Sequence, residues 1–150
     1  IPLDEGGKNT KLVVKMLEKY DLHATLFLIG SIYKSYMDSD NLELQSHTYN
    51  LHEYGKCSIS PRGSAFLCAS DSKVLKDLEK SRELTNAFAF AYPYYEYNEK
   101  AIKLLKKAGF LLAFEDEHGL VKPGDDPFLI SRYTLSNNST LAELKYVLHH

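Results

Sequence analysis

The sequence has no tryptophan, two cysteines, two methionines and no long apolar run. Its longest uninterrupted apolar stretch covers residues 87–92. A spanning helix needs roughly 20 such residues, so no membrane insertion is expected. An excess of charge of one sign is also missing. The 18 basic and 20 acidic residues leave a formal net charge of -2, and no global field draws the chain to nucleic acid. Two cysteines are too few for a disulfide framework. Cys57 and Cys68 either close a small loop in an oxidising compartment or stand as buried thiols. What is present is ordinary. Of 150 residues, 44% are hydrophobic and 25% charged, the proportions of a folded domain rather than a disordered chain. The length suits a single domain over residues 1–150, and a start at Ile1 inside what reads as a strand suggests a trimmed N-terminus.

Apolar periodicity alternates between two types of element. Leu3 closes a first strand before a Gly-Gly turn, and residues 8–20 then place Leu12, Val13, Met16, Leu17 and Tyr20 on one helical stripe. Residues 24–29 form a nearly continuous apolar run, as expected of a strand covered on both faces. Residues 31–37 read as one or two helical turns, 42–46 as a strand, 71–84 as a helix with Val74, Leu75 and Leu78 inward, and 87–92 as a strand stopped by Pro93. Asn98 caps a helix that ends at Gly109; residues 110–114 and 128–135 read as strands, and Thr140 with Glu143 forms a capping box for a last helix. Strands alternating with helices predict an α/β fold with a parallel sheet, open or curled into a barrel. Active sites of such folds lie where the C-terminal ends of the strands emerge.

Four of those ends carry polar groups: Asp4-Glu5-Gly6-Gly7, Ser46-His47-Thr48-Tyr49-Asn50-Leu51-His52, Tyr92-Pro93-Tyr94-Tyr95 and Ser131-Arg132-Tyr133. Two histidines five positions apart, with a carboxylate from a neighbouring strand end, make a two-His, one-carboxylate set with open positions for water or substrate. The second carboxylate of the pair is then free to act as a base. The same residues also suit a solvated loop and a solvated acidic turn.

These motifs, in this order, resemble those of the polysaccharide deacetylases of carbohydrate esterase family 4, the NodB-homology domain. Pro2-Leu3-Asp4-Glu5-Gly6 stands where the family has T-F-D-D-G. Ala24-Thr25-Leu26-Phe27-Leu28-Ile29-Gly30 resembles its K-A-T-F-F-V-G strand, and Ser46-His47-Thr48 with His52 its H-[S/T]-x-x-H motif with one extra residue between the histidines. Ala89-Phe90-Ala91-Tyr92-Pro93-Tyr94 is similar to the F-A-Y-P-Y-G form of the third motif, with Tyr95 at the place of its glycine.

The resemblance implies a distorted (β/α) barrel of about seven strands that hydrolyses N-acetyl groups on an N-acetylhexosamine polysaccharide, either peptidoglycan or an exopolysaccharide. Its cofactor would be a divalent metal, Zn2+ first. By position, Asp4 is the expected base, Glu5, His47 and His52 the expected metal ligands, and the Tyr94 backbone N–H the expected oxyanion donor. Tyr49, Pro93 and Tyr95 are the expected substrate contacts. Ala91 stands where many members carry Arg; Arg132 is the candidate to supply that guanidinium and keep Asp4 ionised, against the alternative of a surface arginine. Glu5 in place of Asp adds a methylene, and the family's last L-x-H motif has only Leu148-His149-His150, in a segment that reads as helix. A catalytically degenerate member that binds glycan without turnover is therefore the alternative. The resemblance further implies a monomer at the surface of, or outside, a bacterial cell.

Overall fold

The computed structural model describes residues 2–115, 119–133, 140, 142, 143, 145 and 146, with residues 2–5 as backbone. Five strands form one sheet: β1 (Pro2–Glu5), β2 (Ala24–Leu28), β3 (Leu42–Ser46), β4 (Ala89–Ala91) and β5 (Leu112–Phe114). Their order in the sheet is their order in the chain, and every neighbouring pair is parallel. Between them run α1 (Thr10–Tyr20), α2 (Ala65–Cys68), α3 (Asp71–Thr85) and α4 (Glu99–Lys107).

This order decides between the two parallel architectures the sequence allows. A doubly wound sheet reverses direction at a switch point. Here each strand adds on the same side, so right-handed crossovers place all the helices on one face. The packing agrees. Val14 and Leu17 of α1 pack on Leu26 and Leu28, while Val74 and Leu78 of α3 and Leu105 of α4 pack with Phe90. Leu28, Ser46 and Phe90 share one register row, so these contacts all fall on one face. The opposite face carries Phe27, Ala89 and Ala91, with Leu112 and Phe114 against them. The sheet is therefore singly wound, as in a barrel wall.

Of the about seven strands expected, five are seen among the described residues. In the expected strand over residues 128–135, residues 134 and 135 lie outside the described residues. The described part, 128–133, carries a single parallel bridge, between Phe114 and Ile130. Asp126 is the cause: its carboxylate accepts from the Phe128 N–H and its carbonyl from the Leu129 N–H, so the backbone closes a turn where a ladder would begin. In α1 the buried residues are Thr10, Val14 and Leu17, while Leu12, Met16 and Tyr20 are exposed. Of the expected stripe only Leu17 and, in part, Val13 face β2, with Val14 completing the contact. The ends of α4 are as expected: Asn98 accepts a hydrogen bond from the Ala101 N–H, and Gly109 has φ +89°, which favours glycine. At the start of α3 the structure adds a cap, Ser70, which accepts from the Lys73 N–H. The Thr140–Glu143 capping box is formed.

Candidate active site

The C-terminal ends of β1, β3 and β4 lie along one edge of the sheet. Glu5 is the register partner of Leu28, whose carbonyl accepts from the His47 N–H just past the end of β3. Asp4 is the register partner of Phe27. Glu5 and His47 thus flank one strand, about two strand spacings or 10 Å apart in the backbone. Gly6 turns the chain away at once with φ +91°; an added Cβ would come within 2.9 Å of Leu28 Cδ1.

His47 is 3% exposed. Its Nδ1 lies 2.8 Å from the Ala91 carbonyl at the end of β4. A carbonyl only accepts, so Nδ1 carries the proton; in the neutral imidazole Nε2 then has the lone pair that metal binding or proton acceptance needs. The loop then returns His52 to the same place, with the two rings 4.6 Å apart between centroids. His52 lies 4.6 Å from the Tyr94 ring, and Tyr94 is stacked on Tyr54 at 5.0 Å. Four rings therefore form a column that runs from the buried His47 to Tyr54, which is 78% exposed.

The turn after β4 holds two consecutive non-glycine residues in the left-handed region, Tyr94 at φ 55° and Tyr95 at φ 58°. Such residues are costly, about 1–3 kcal/mol each, and persist only where their surroundings impose them. Here a neighbouring loop does so. Arg62 donates to the Tyr94 carbonyl at 2.9 Å, and the Glu96 carboxylate accepts from the Ser60 hydroxyl and the Arg62 N–H. That loop is itself tied to α2 by the Cys57–Cys68 disulfide, with a Cα–Cα distance of 5.6 Å. The cysteines are bridged, not free thiols.

Arg132 is not a surface arginine: it is 9% exposed, and its guanidinium faces the rings of Phe27 at 5.5 Å and of Phe114 and Tyr95 at 6.0 Å. It therefore sits against the residue that shares the register position of Asp4. Pro93 is fully buried and sets the start of the turn. Tyr49 lies away from the ring column, packed on Gly30 beneath the Lys80 ammonium at 4.1 Å. Among the described residues no three His, Cys, Asp or Glu side chains gather as a metal-binding set. The side chains of Asp4 and Glu5 lie outside that description, as do His118, His149 and His150.

The family model for polysaccharide deacetylase matches residues 2–113. The chain belongs to the polysaccharide deacetylase family. It is 32% identical over 146 residues to a poly-beta-1,6-N-acetyl-D-glucosamine N-deacetylase of Staphylococcus epidermidis, covering 83% of this chain and 49% of that protein. The enzyme of the same name from Staphylococcus aureus is 32% identical over 103 residues, 65% of this chain and 34% of that protein. The chain thus spans a third to a half of the length of these relatives. The structure of IcaB from Ammonifex degensii superposes with a TM-score of 0.72 at 21% identity, covering 91% of this chain and 67% of the other, and so shares the fold. Among the described residues no helix is long and apolar enough to cross a membrane.

The family's third motif carries glycine where this chain has Tyr95, and the backbone there keeps the left-handed conformation glycine favours. The turn thus carries an aromatic ring on a left-handed residue, facing Arg132.

Two residues of the site were not singled out in the sequence: Glu96 and Asp77. The Asp77 carboxylate, on α3, accepts from the Tyr49 N–H at 2.7 Å and the Asn50 N–H at 2.8 Å. Burial raises its pKa above the ordinary carboxylate range, opposed by those two donors and by Lys73 and Lys80. The available signal was its place on the helix, three residues after the buried Val74 and one before Leu78. A cleft of about 370 Å³ lined by His23, Asp40 and Glu43 lies at the other end of β2 and β3 and holds none of these groups.

Proposed function

We propose that this chain is a divalent-metal-dependent N-deacetylase acting on a poly-N-acetylglucosamine exopolysaccharide with β-1,6 linkages. One observation supports the reading: His47 and His52 meet just past the end of β3, with β2 between them and the backbone of Asp4 and Glu5, and the His47 Nδ1 faces the Ala91 carbonyl. The donor chemistry fits Zn2+, with two imidazoles and an adjacent carboxylate. Names of the staphylococcal relatives support the polymer.

In this reading His47, His52 and Glu5 hold the metal. When bound it supplies Lewis-acid polarisation of the acetyl carbonyl and of the attacking water. Asp4 takes the proton from water as its oxygen bonds to the carbonyl carbon. The Tyr94 N–H donates to the oxyanion that forms. The C–N bond then breaks as the nitrogen takes up the proton that Asp4 had accepted, which restores the carboxylate and leaves acetic acid and a free amine on the sugar. Arg132, among Phe27, Tyr95 and Phe114, keeps positive charge near Asp4 and favours its ionised form. Tyr54 and Tyr95 offer ring faces to the sugars. The reading treats residues 1–150 as one deacetylase domain whose wall extends to about seven strands, as a monomer outside the cell or at its surface. The Cys57–Cys68 bridge supports an oxidising compartment.

Acetate release from β-1,6-linked N-acetylglucosamine oligomers with added zinc is the test. Activity lost in Asp4→Asn and His47→Ala supports the assignment. Activity on chitin oligomers or peptidoglycan instead would move the substrate. Glycan binding with no acetate release under any metal would establish the degenerate alternative.

A further inference from the structure

We infer that Asp77 is the positioning residue of the histidine loop and fixes the distance between His47 and His52. This rests on the reading of those histidines as metal ligands. Residues 47–52 follow neither helical nor strand spacing, so no regular ladder satisfies their backbone. The loop's backbone is instead held by separate contacts. The His47 N–H donates to the Leu28 carbonyl. The Thr48 and Tyr49 carbonyls accept from the Gly30 and Ser31 N–H groups at 3.0 and 2.8 Å. The Leu51 N–H donates to the Thr48 hydroxyl at 3.1 Å. Two donors between the histidines, the Tyr49 and Asn50 N–H groups, both go to Asp77, one to each carboxylate oxygen.

These two amides lie between the histidines, so the carboxylate acts on both ligands at once. Its own position is rigid, because Val74 and Leu78 beside it on α3 are fully buried. Thr48 occupies the left-handed region at φ 69°, a conformation that must be imposed. A carboxylate has two acceptor oxygens, one for each of the two amides. Asp77 thereby acts one step behind the ligands, through the loop they stand on.

The test compares Asp77→Asn with the exposed helix variant Glu79→Gln. Asp77→Asn keeps one acceptor oxygen and turns an NH2 toward the second amide. It is expected to weaken zinc binding by about 10–100-fold, the usual cost of removing an outer-shell partner. Proton NMR of the metal-free variant should show the His47–His52 ring contact weakened, while Glu79→Gln matches the parent in both. Unchanged zinc affinity and an unchanged ring contact in Asp77→Asn would overturn the role. Amide exchange in the unmodified protein provides a test that needs no variant to fold. Tyr49 and Asn50 should exchange far more slowly than in an unstructured peptide, and free exchange would overturn the proposal. If the parent binds no zinc, the metal reading fails, while the ring contact and the amide exchange still decide the role of Asp77.

Discussion

The two segments that build the site, residues 47–52 and 92–96, are held in place by different means. Both leave a strand end and both contain left-handed non-glycine residues, Thr48 in one and Tyr94 with Tyr95 in the other. The histidine loop is braced from the core side, by Asp77 of α3 and by the backbone after β2. The tyrosine turn is braced from the solvent side, by Arg62 and Ser60 on a loop held by the Cys57–Cys68 bridge. The ligand-bearing loop therefore depends on the packing that makes the domain fold. The turn assigned to the oxyanion depends on a peripheral strap. Conditions that loosen the strap should disturb catalysis before they disturb metal binding.

Removing the strap should have the largest effect. Cys57→Ser with Cys68→Ser opens an 11-residue separation, and the chain-entropy model puts the loss at about 3 kcal/mol. The melting temperature should fall and acetate release with it, while the folded variant binds zinc as the parent does. The converse comes from Gly30→Ala, whose Cβ would lie 2.6 Å from the Tyr49 ring. Overpacking of about 1–3 kcal/mol should displace the histidine loop and show as weaker zinc binding in calorimetry.

These two contrasts also show how far the sequence speaks. The span of β3 was legible to the residue, and those of α3 and α4 with the α4 cap nearly so, because periodicity and capping are local. Helix α2 was not, since four residues are too short to show a period. On α1 the expected stripe was right for Leu17 and Val13 but took Leu12, Met16 and Tyr20 in place of Val14, because all of them are apolar. The histidines and the Tyr92-Pro93-Tyr94 turn stood out through their motifs. The braces did not. Asp77 is one of several acids on α3, and Arg62 and Glu96 meet only through a separation of 34 residues. Such pairings arise from tertiary placement and leave no local pattern.

Two smaller effects refine the comparison. Arg62→Ala removes one hydrogen bond to the Tyr94 carbonyl, worth about 1 kcal/mol, and should lower kcat with zinc affinity unchanged. Tyr95→Gly relieves a left-handed residue but loses the ring facing Arg132. Its unfolding free energy should stay within about 1 kcal/mol of the parent's, since strain relief and lost packing oppose each other.

The central claim is that His47 and His52 are two donors of one metal centre. Calorimetric titration of zinc into metal-stripped protein, with His47→Ala alongside, tests it most directly. Saturable one-to-one binding that disappears in the variant is the predicted result. No binding by the parent, or equal binding by His47→Ala, would contradict it.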